Sequence, residues 1–220
     1  MPNSLQSVPV RPLLDRLFKA ADGDALNRAL VARRHPAGFA TATAREQADA
    51  YEELYLPVSP ESGRLLYALI RASRPSTVVE FGTSFGISTI HLAAAVRDNG
   101  AGRVIGTEIN AAKVAQATAN LEEAGLAGLV TILEGDALDT LATIDTPVQF
   151  VLLDGWANLY LPVLRLLEPC LTPGALIVAD GTISQADEMT DYLSFVRDSA
   201  HGYLSIPFPE AAGLEITCCV

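Results

Sequence analysis

Residues 76–98 read STVVEFGTSFGISTIHLAAAVRD, and this stretch decides the fold. Thr77, Val78, Val79 and Phe81 suit a buried strand. Gly82 and Gly86 then break the run, and from Ile87 onward apolar residues recur at helical spacing. A strand, a glycine turn and a helix make half of a βαβ unit. The alternation continues to residue 180: GRVIGTE (102–108), LVTILE (129–134), VQFVLLD (148–154) and ALIVAD (175–180) read as strands. NAAKVAQATANLEEAG (110–125) and residues 159–171 read as helices between them. Nearly continuous apolar strands are buried on both sides, so the pattern predicts a parallel sheet with helices on both faces and right-handed crossovers.

Downstream, SQADEMTDYLSFVRD (184–198) predicts one long helix with Met189, Tyr192, Leu193 and Val196 on a single face. YLSIPF (203–208) and LEITCCV (214–220) follow with no helix between them and pair as an antiparallel hairpin at the sheet edge. Upstream, residues 9–73 read as helices: PLLDRLFKAA (12–21), DALNRALVARRH (24–35), AREQADAYEELYL (44–56) and SPESGRLLYALIRAS (59–73). Gly23 and the HPAG turn at 35–38 separate the first three, and Ser59 with Pro60 marks a helix start. The organisation expected is an N-terminal helical extension over residues 1–57 and an α/β domain over residues 58–220.

The 220 residues, half of them apolar, bury one sizeable core. A net charge of −11 argues against a nucleic-acid partner, which demands clustered Lys and Arg. The N-terminus lacks the apolar core of a signal peptide, and no uncharged run is long enough to span a bilayer. Cys170, Cys218 and Cys219 form no CxxC pair, the usage of reduced core cysteines. A soluble, cytoplasmic protein is expected. His91 reads as a core or boundary histidine, and His35 and His201 as solvated side chains in turns.

Chemistry in such a sheet lies at the C-terminal strand ends. After the first strand, Glu80, Gly82 and Gly86 make an ExGxxxG turn, and Ser84 stands where a dinucleotide fingerprint would place its middle glycine. The helix beginning there offers unpaired N–H groups to an anion, or the turn is merely structural. Glu108, ending the second strand, accepts ribose hydroxyls or favours the next helix dipole. Asp136, after the third, reads an adenine amino group or caps a helix. Jointly, a glycine turn and two acids at successive strand ends describe an adenosine pocket.

The array VEFGTSFGIST, GTEIN, EGDAL and LLDGWANLY, preceded by PVSPESGRLL and followed by LIVADG, resembles the class I S-adenosylmethionine-dependent O-methyltransferases of the catechol and caffeoyl-CoA type. The resemblance runs from about Val58 to the C-terminus. It implies a Rossmann-like seven-stranded sheet whose last strand is antiparallel, and S-adenosylmethionine as cofactor. It also implies that the Val58 backbone and the Ser88 hydroxyl meet the methionine carboxylate. Glu80 and Gly82 would line the methionine end, with Ser84 and Gly86 completing the turn. Glu108 would hold the ribose, Asp136 and Ala137 flank the adenine, and Ile109 pack on its face. The N-terminal helices would serve as lid and homodimer surface.

In the resembling family the Asp at position 154 binds a divalent cation, with two further ligands as Asp-Asn after the next strand and a lysine base three residues on. Here the pair is Asp180 and Gly181, and Ala157 stands at the lysine position. Magnesium is therefore possible and not favoured. Asp154 alternatively stabilises the sulfonium and ammonium of the cofactor, or caps the following helix. Asp154 and Asp180 are the candidate catalytic residues; Trp156 walls the site or packs in the core. The expected reaction is methyl transfer to a small, aromatic acceptor. Metal-independent methylation at carbon or nitrogen, and a non-catalytic S-adenosylmethionine-binding protein, are the alternatives.

Overall fold

A computed structural model describes residues 3–36, 38–39 and 42–220. Ala37, within the expected HPAG turn, lies outside them. The N-terminal helices are α1 (Val10–Ala21), α2 (Asp24–Arg34), α3 (Ala44–Ala50) and α4 (Pro60–Ser73). The α/β region runs β1 (Thr77–Phe81), α5 (Ile87–Asn99), β2 (Arg103–Glu108), α6 (Ala111–Glu123), β3 (Val130–Glu134), α7 (Ala137–Thr140) and β4 (Val148–Leu153). It continues with α8 (Tyr160–Leu167), β5 (Leu171–Asp180), α9 (Thr190–Arg197), β6 (Tyr203–Phe208) and β7 (Leu214–Cys219). The seven strands order as β3-β2-β1-β4-β5-β7-β6. Strands β1 to β5 are parallel, and β7 runs antiparallel between β5 and β6.

The two-residue period of β1 divides the core. Val78 faces the cluster built from α1, α4, α5 and α6, whereas Val79 and Phe81 face that of α7, α8 and α9. Helix α5 is buried nearly all round, because α1 and α4 cover its outer side. Its His91 is 3 % exposed, and Nδ1–H donates to the Ile87 carbonyl at 2.8 Å. Gly63 of α4 leaves room for the ring: a Cβ there would stand 2.7 Å from it.

Burial lowers the His91 pKa to about 4, against the bond to Ile87. The unfolded chain protonates this side chain near pH 6.5, so it takes up a proton that the fold refuses. The sign follows: stability is full above pH 6.5 and falls as pH drops toward 4, by on the order of 3 kcal/mol. Denaturant unfolding at pH 7.5 and 4.5 should show a smaller acid loss for His91→Gln than for the wild type. Equal losses would contradict it.

Three elements differ from the sequence reading. Residues 184–198 do not form one helix; a 3-10 turn (Ala186–Met189) precedes α9. The N–H groups of Thr182, Ile183 and Ser184 are spent on the carbonyls of Gly213 and Ala212, at 2.8 to 3.1 Å, so the helix starts late. Helix α3 ends at Ala50, and Tyr51 turns its ring toward Trp156. Short α7 was not among the helices read between the strands, though a helix cap was one reading of Asp136; its side chain starts α7 by accepting the Leu138 N–H at 2.9 Å.

Partly buried polar contacts tie Ser4 and α4 to the end of α5 and hold α2 against the segment before Val58. Asp98, at the end of α5, accepts from Ser4 N at 2.8 Å, from the Ser4 hydroxyl and from the Tyr67 hydroxyl at 2.6 Å. Asp24 accepts Tyr55 N and Leu56 N at 3.0 and 2.7 Å, fixing the segment that leads into Val58.

Candidate active site

The ends of β1, β2, β4 and β5 and the turn after β3 open on one cavity of about 650 Å³, a size suited to a cofactor. Its lining includes Gly82, Ser84, Glu108, Ile109, Asp136, Ala137, Asp154, Trp156 and Asp180. The turn after β1 can enter because Gly82 has φ +99° and passes beneath the end of β4. A Cβ there would lie 2.5 Å from the Asp154 carbonyl.

Glu108 is oriented from two sides. Its Oε2 accepts Ser84 N and its Oε1 accepts Asn110 N, each at 2.9 Å. Each carboxylate oxygen keeps a further lone pair, so two vicinal hydroxyls can be received together. The Asp136 oxygen that starts α7 is engaged, and Asp136 is part of the cavity lining. The Ile109 carbonyl accepts from Arg45 at 3.2 Å, tying α3 to this wall.

Four candidate cofactor residues do not line the large cavity. Glu80 is fully buried behind the turn, where Thr83, Ser88 and Thr89 donate to it at 3.0, 2.6 and 2.5 Å. Burial raises its carboxyl above the ordinary range, and the three hydroxyls oppose that rise. Ser88 thereby spends its hydroxyl inside the protein. Gly86 caps α5 with φ +86°. Val58 lies on an adjoining cavity of about 350 Å³ that also touches Asp180.

Asp154 and Asp180 end neighbouring strands on the same cavity. Burial, then repulsion from Asp180 and Glu80, raises the Asp154 carboxyl well above the usual range. Burial brings Asp180 up to about 6. Beside them a Cβ on Gly181 would stand 2.6 Å from the Gln185 side-chain nitrogen, so an amide from one turn ahead fills that space. Among the described residues no three His, Cys, Asp or Glu side chains gather to hold a metal ion. Two carboxylates completed by waters supply an octahedral shell less firmly than a set with a third side-chain ligand, and Gly181 offers none.

Sequence reasoning missed several wall residues. Gln47 and Ala48 of α3, Tyr51 just past its end and Arg28 of α2 line the cavity. Ser184, Gln185 and Glu188 border Asp180. Lys113 lies one turn into α6 and is 4 % exposed. It donates to the Ser84 hydroxyl at 3.2 Å and stands over the Phe85 ring at 5.5 Å. Burial lowers its pKa, and Glu108, Asp24 and Glu52 counter that. Trp156 lines the cavity and meets the Tyr51 ring edge-on at 5.5 Å. The walls carry five acids (Glu108, Asp136, Asp154, Asp180, Glu188) against two cations (Arg28, Lys113), a field that favours a cationic ligand. No helix among the described residues is long and apolar enough to cross a membrane.

Residues 79–182 match a methyltransferase-domain family. The chain is 33 % identical over 166 residues to the catechol O-methyltransferase of Mus musculus, covering 70 % of this chain and 61 % of that one. It is 34 % identical over 145 residues to the catechol O-methyltransferase of Mycobacterium tuberculosis, covering 66 % and 65 %. The chain thus spans less than two thirds of either relative. Among solved structures, cofactor-bound Rv0187 from MTB superposes with a TM-score of 0.71 at 26 % identity, over 80 % of this chain and 88 % of that one. An O-methyltransferase from Bacillus cereus in complex with SAH shares the fold, with a TM-score of 0.69 at 18 % identity over 93 % and 100 %.

Proposed function

We propose that the chain, which matches a methyltransferase-domain family and is similar to catechol O-methyltransferases, methylates a hydroxyl of a small, aromatic acceptor with S-adenosylmethionine. The observation that carries this reading is the convergence of the β1 turn, Glu108, Asp136, Asp154 and Asp180 on one cavity. When bound, S-adenosylmethionine supplies a methyl group already activated on a sulfonium. Glu108 takes the ribose hydroxyls, Asp136 and Ala137 border the adenine, and Ile109 packs on its face. Asp154 faces the cationic end. An acceptor hydroxyl held against that methyl group would give up its proton to the Asp154–Asp180 pair as the methyl passes from sulfur to oxygen. Holding the two reactants in contact and excluding water supplies most of the acceleration. No step is assigned to a metal.

On the same reading residues 1–57 form a lid and homodimer surface over a domain of residues 58–220, in the cytoplasm. What supports the lid is that Arg28, Gln47 and Tyr51 contribute to the cavity wall. The test is turnover: purified protein with S-adenosylmethionine and a panel of phenols, catechols and amines, read as S-adenosylhomocysteine released. Methylation of at least one hydroxylated aromatic is expected. Tight cofactor binding with no turnover over the panel would favour a non-catalytic binding protein instead.

A further inference from the structure

Arg28 stands one helical turn beyond Asp24 on α2 and lines the large cavity with Leu56 and Pro57. Side chains four apart share a helix face. Asp24 is bonded to the backbone N–H groups of Tyr55 and Leu56, so α2 is held over the segment that leads into Val58. Among the described residues Arg28 has no hydrogen bond or ion pair. The cavity's other cation, Lys113, is engaged by the Ser84 hydroxyl and the Phe85 ring.

Charge decides what such a guanidinium is for. Five acids line this cavity, so a ligand carboxylate is repelled unless a cation meets it. The hydroxyl expected to receive a carboxylate, that of Ser88, is buried and donates to Glu80 at 2.6 Å. We propose that Arg28 is the carboxylate-binding residue of this cavity, contributed by the N-terminal extension. A planar guanidinium engages a carboxylate through two parallel hydrogen bonds, which fixes orientation as well as charge. The carboxylate comes from the amino-acid end of the cofactor or from the acceptor. The inference rests on the methyltransferase reading.

The test titrates wild type, Arg28→Ala and Arg28→Lys with S-adenosylhomocysteine and with 5′-methylthioadenosine, which lacks the amino-acid portion. Turnover is measured on two phenolic acceptors that differ only by a carboxylate. If the cofactor is the source, Arg28→Ala weakens S-adenosylhomocysteine tenfold or more and leaves 5′-methylthioadenosine unchanged. If the acceptor is the source, both affinities hold, and kcat/KM falls tenfold or more for the carboxylated phenol alone. In either case Arg28→Lys retains part of the effect. Unchanged values throughout, or equal losses for both adenosine ligands, would overturn the assignment. Failure of wild-type protein to bind either adenosine ligand would overturn the underlying reading, and the assignment with it.

Discussion

Replacing Glu108 by alanine is expected to weaken S-adenosylhomocysteine binding by a hundredfold or more. Glu108 ends β2 with its two oxygens already aligned by Ser84 N and Asn110 N, each at 2.9 Å. The variant loses the acceptor for both ribose hydroxyls and leaves those two N–H groups without their partner. Hydrogen bonds to a charged group contribute about 1.5 to 3 kcal/mol each, so a net loss near 3 kcal/mol is the expected scale. Glu108→Gln keeps one acceptor oxygen and should fall between. Unchanged affinity in a folded Glu108→Ala protein, measured by calorimetry, would remove Glu108 from the ribose site.

Asp154→Asn is expected to lower kcat by about a hundred- to a thousandfold, the range for losing a positioned proton acceptor or charge stabiliser. Burial raises both strand-end carboxyls, and repulsion from Asp180 and Glu80 adds to it at Asp154, a cost that an incoming cation removes. The variant keeps the shape and loses the charge. Binding should therefore weaken more for S-adenosylmethionine, which carries the sulfonium, than for S-adenosylhomocysteine, whose sulfur is neutral. Near-normal turnover by Asp154→Asn would remove it from the chemistry.

Much of this arrangement was legible in the sequence because the signals are local. A run such as VQFVLLD shows its strand by continuous apolarity, and the acid at its end comes to line the cavity. The paired β6 and β7 could be read because no helical segment separates them. The walls that the extension supplies were not legible, because the contacts that place them are distant in sequence. The Asn110 side chain donates to Asp49 and Glu52 at 3.1 and 2.9 Å across about sixty residues. Asp24 meets Tyr55 and Leu56 in the same long-range manner. Glu80 gives the reverse lesson. An acid beside a glycine turn reads as a ligand contact, yet in the fold three hydroxyls donate to it within the core. A serine and two threonines spaced around it were the available signal, and only folding shows that all point inward.

The most direct measurement of the central claim is a calorimetric titration of the purified protein with S-adenosylhomocysteine, in Mg²⁺ and again in EDTA. Binding with a dissociation constant on the order of micromolar is predicted. The constant should agree between the two buffers, because no metal takes part in the proposed cofactor contacts. No binding by folded protein in either buffer would mean that Glu108 and Asp136 serve only their turn and helix, and would contradict the methyltransferase account.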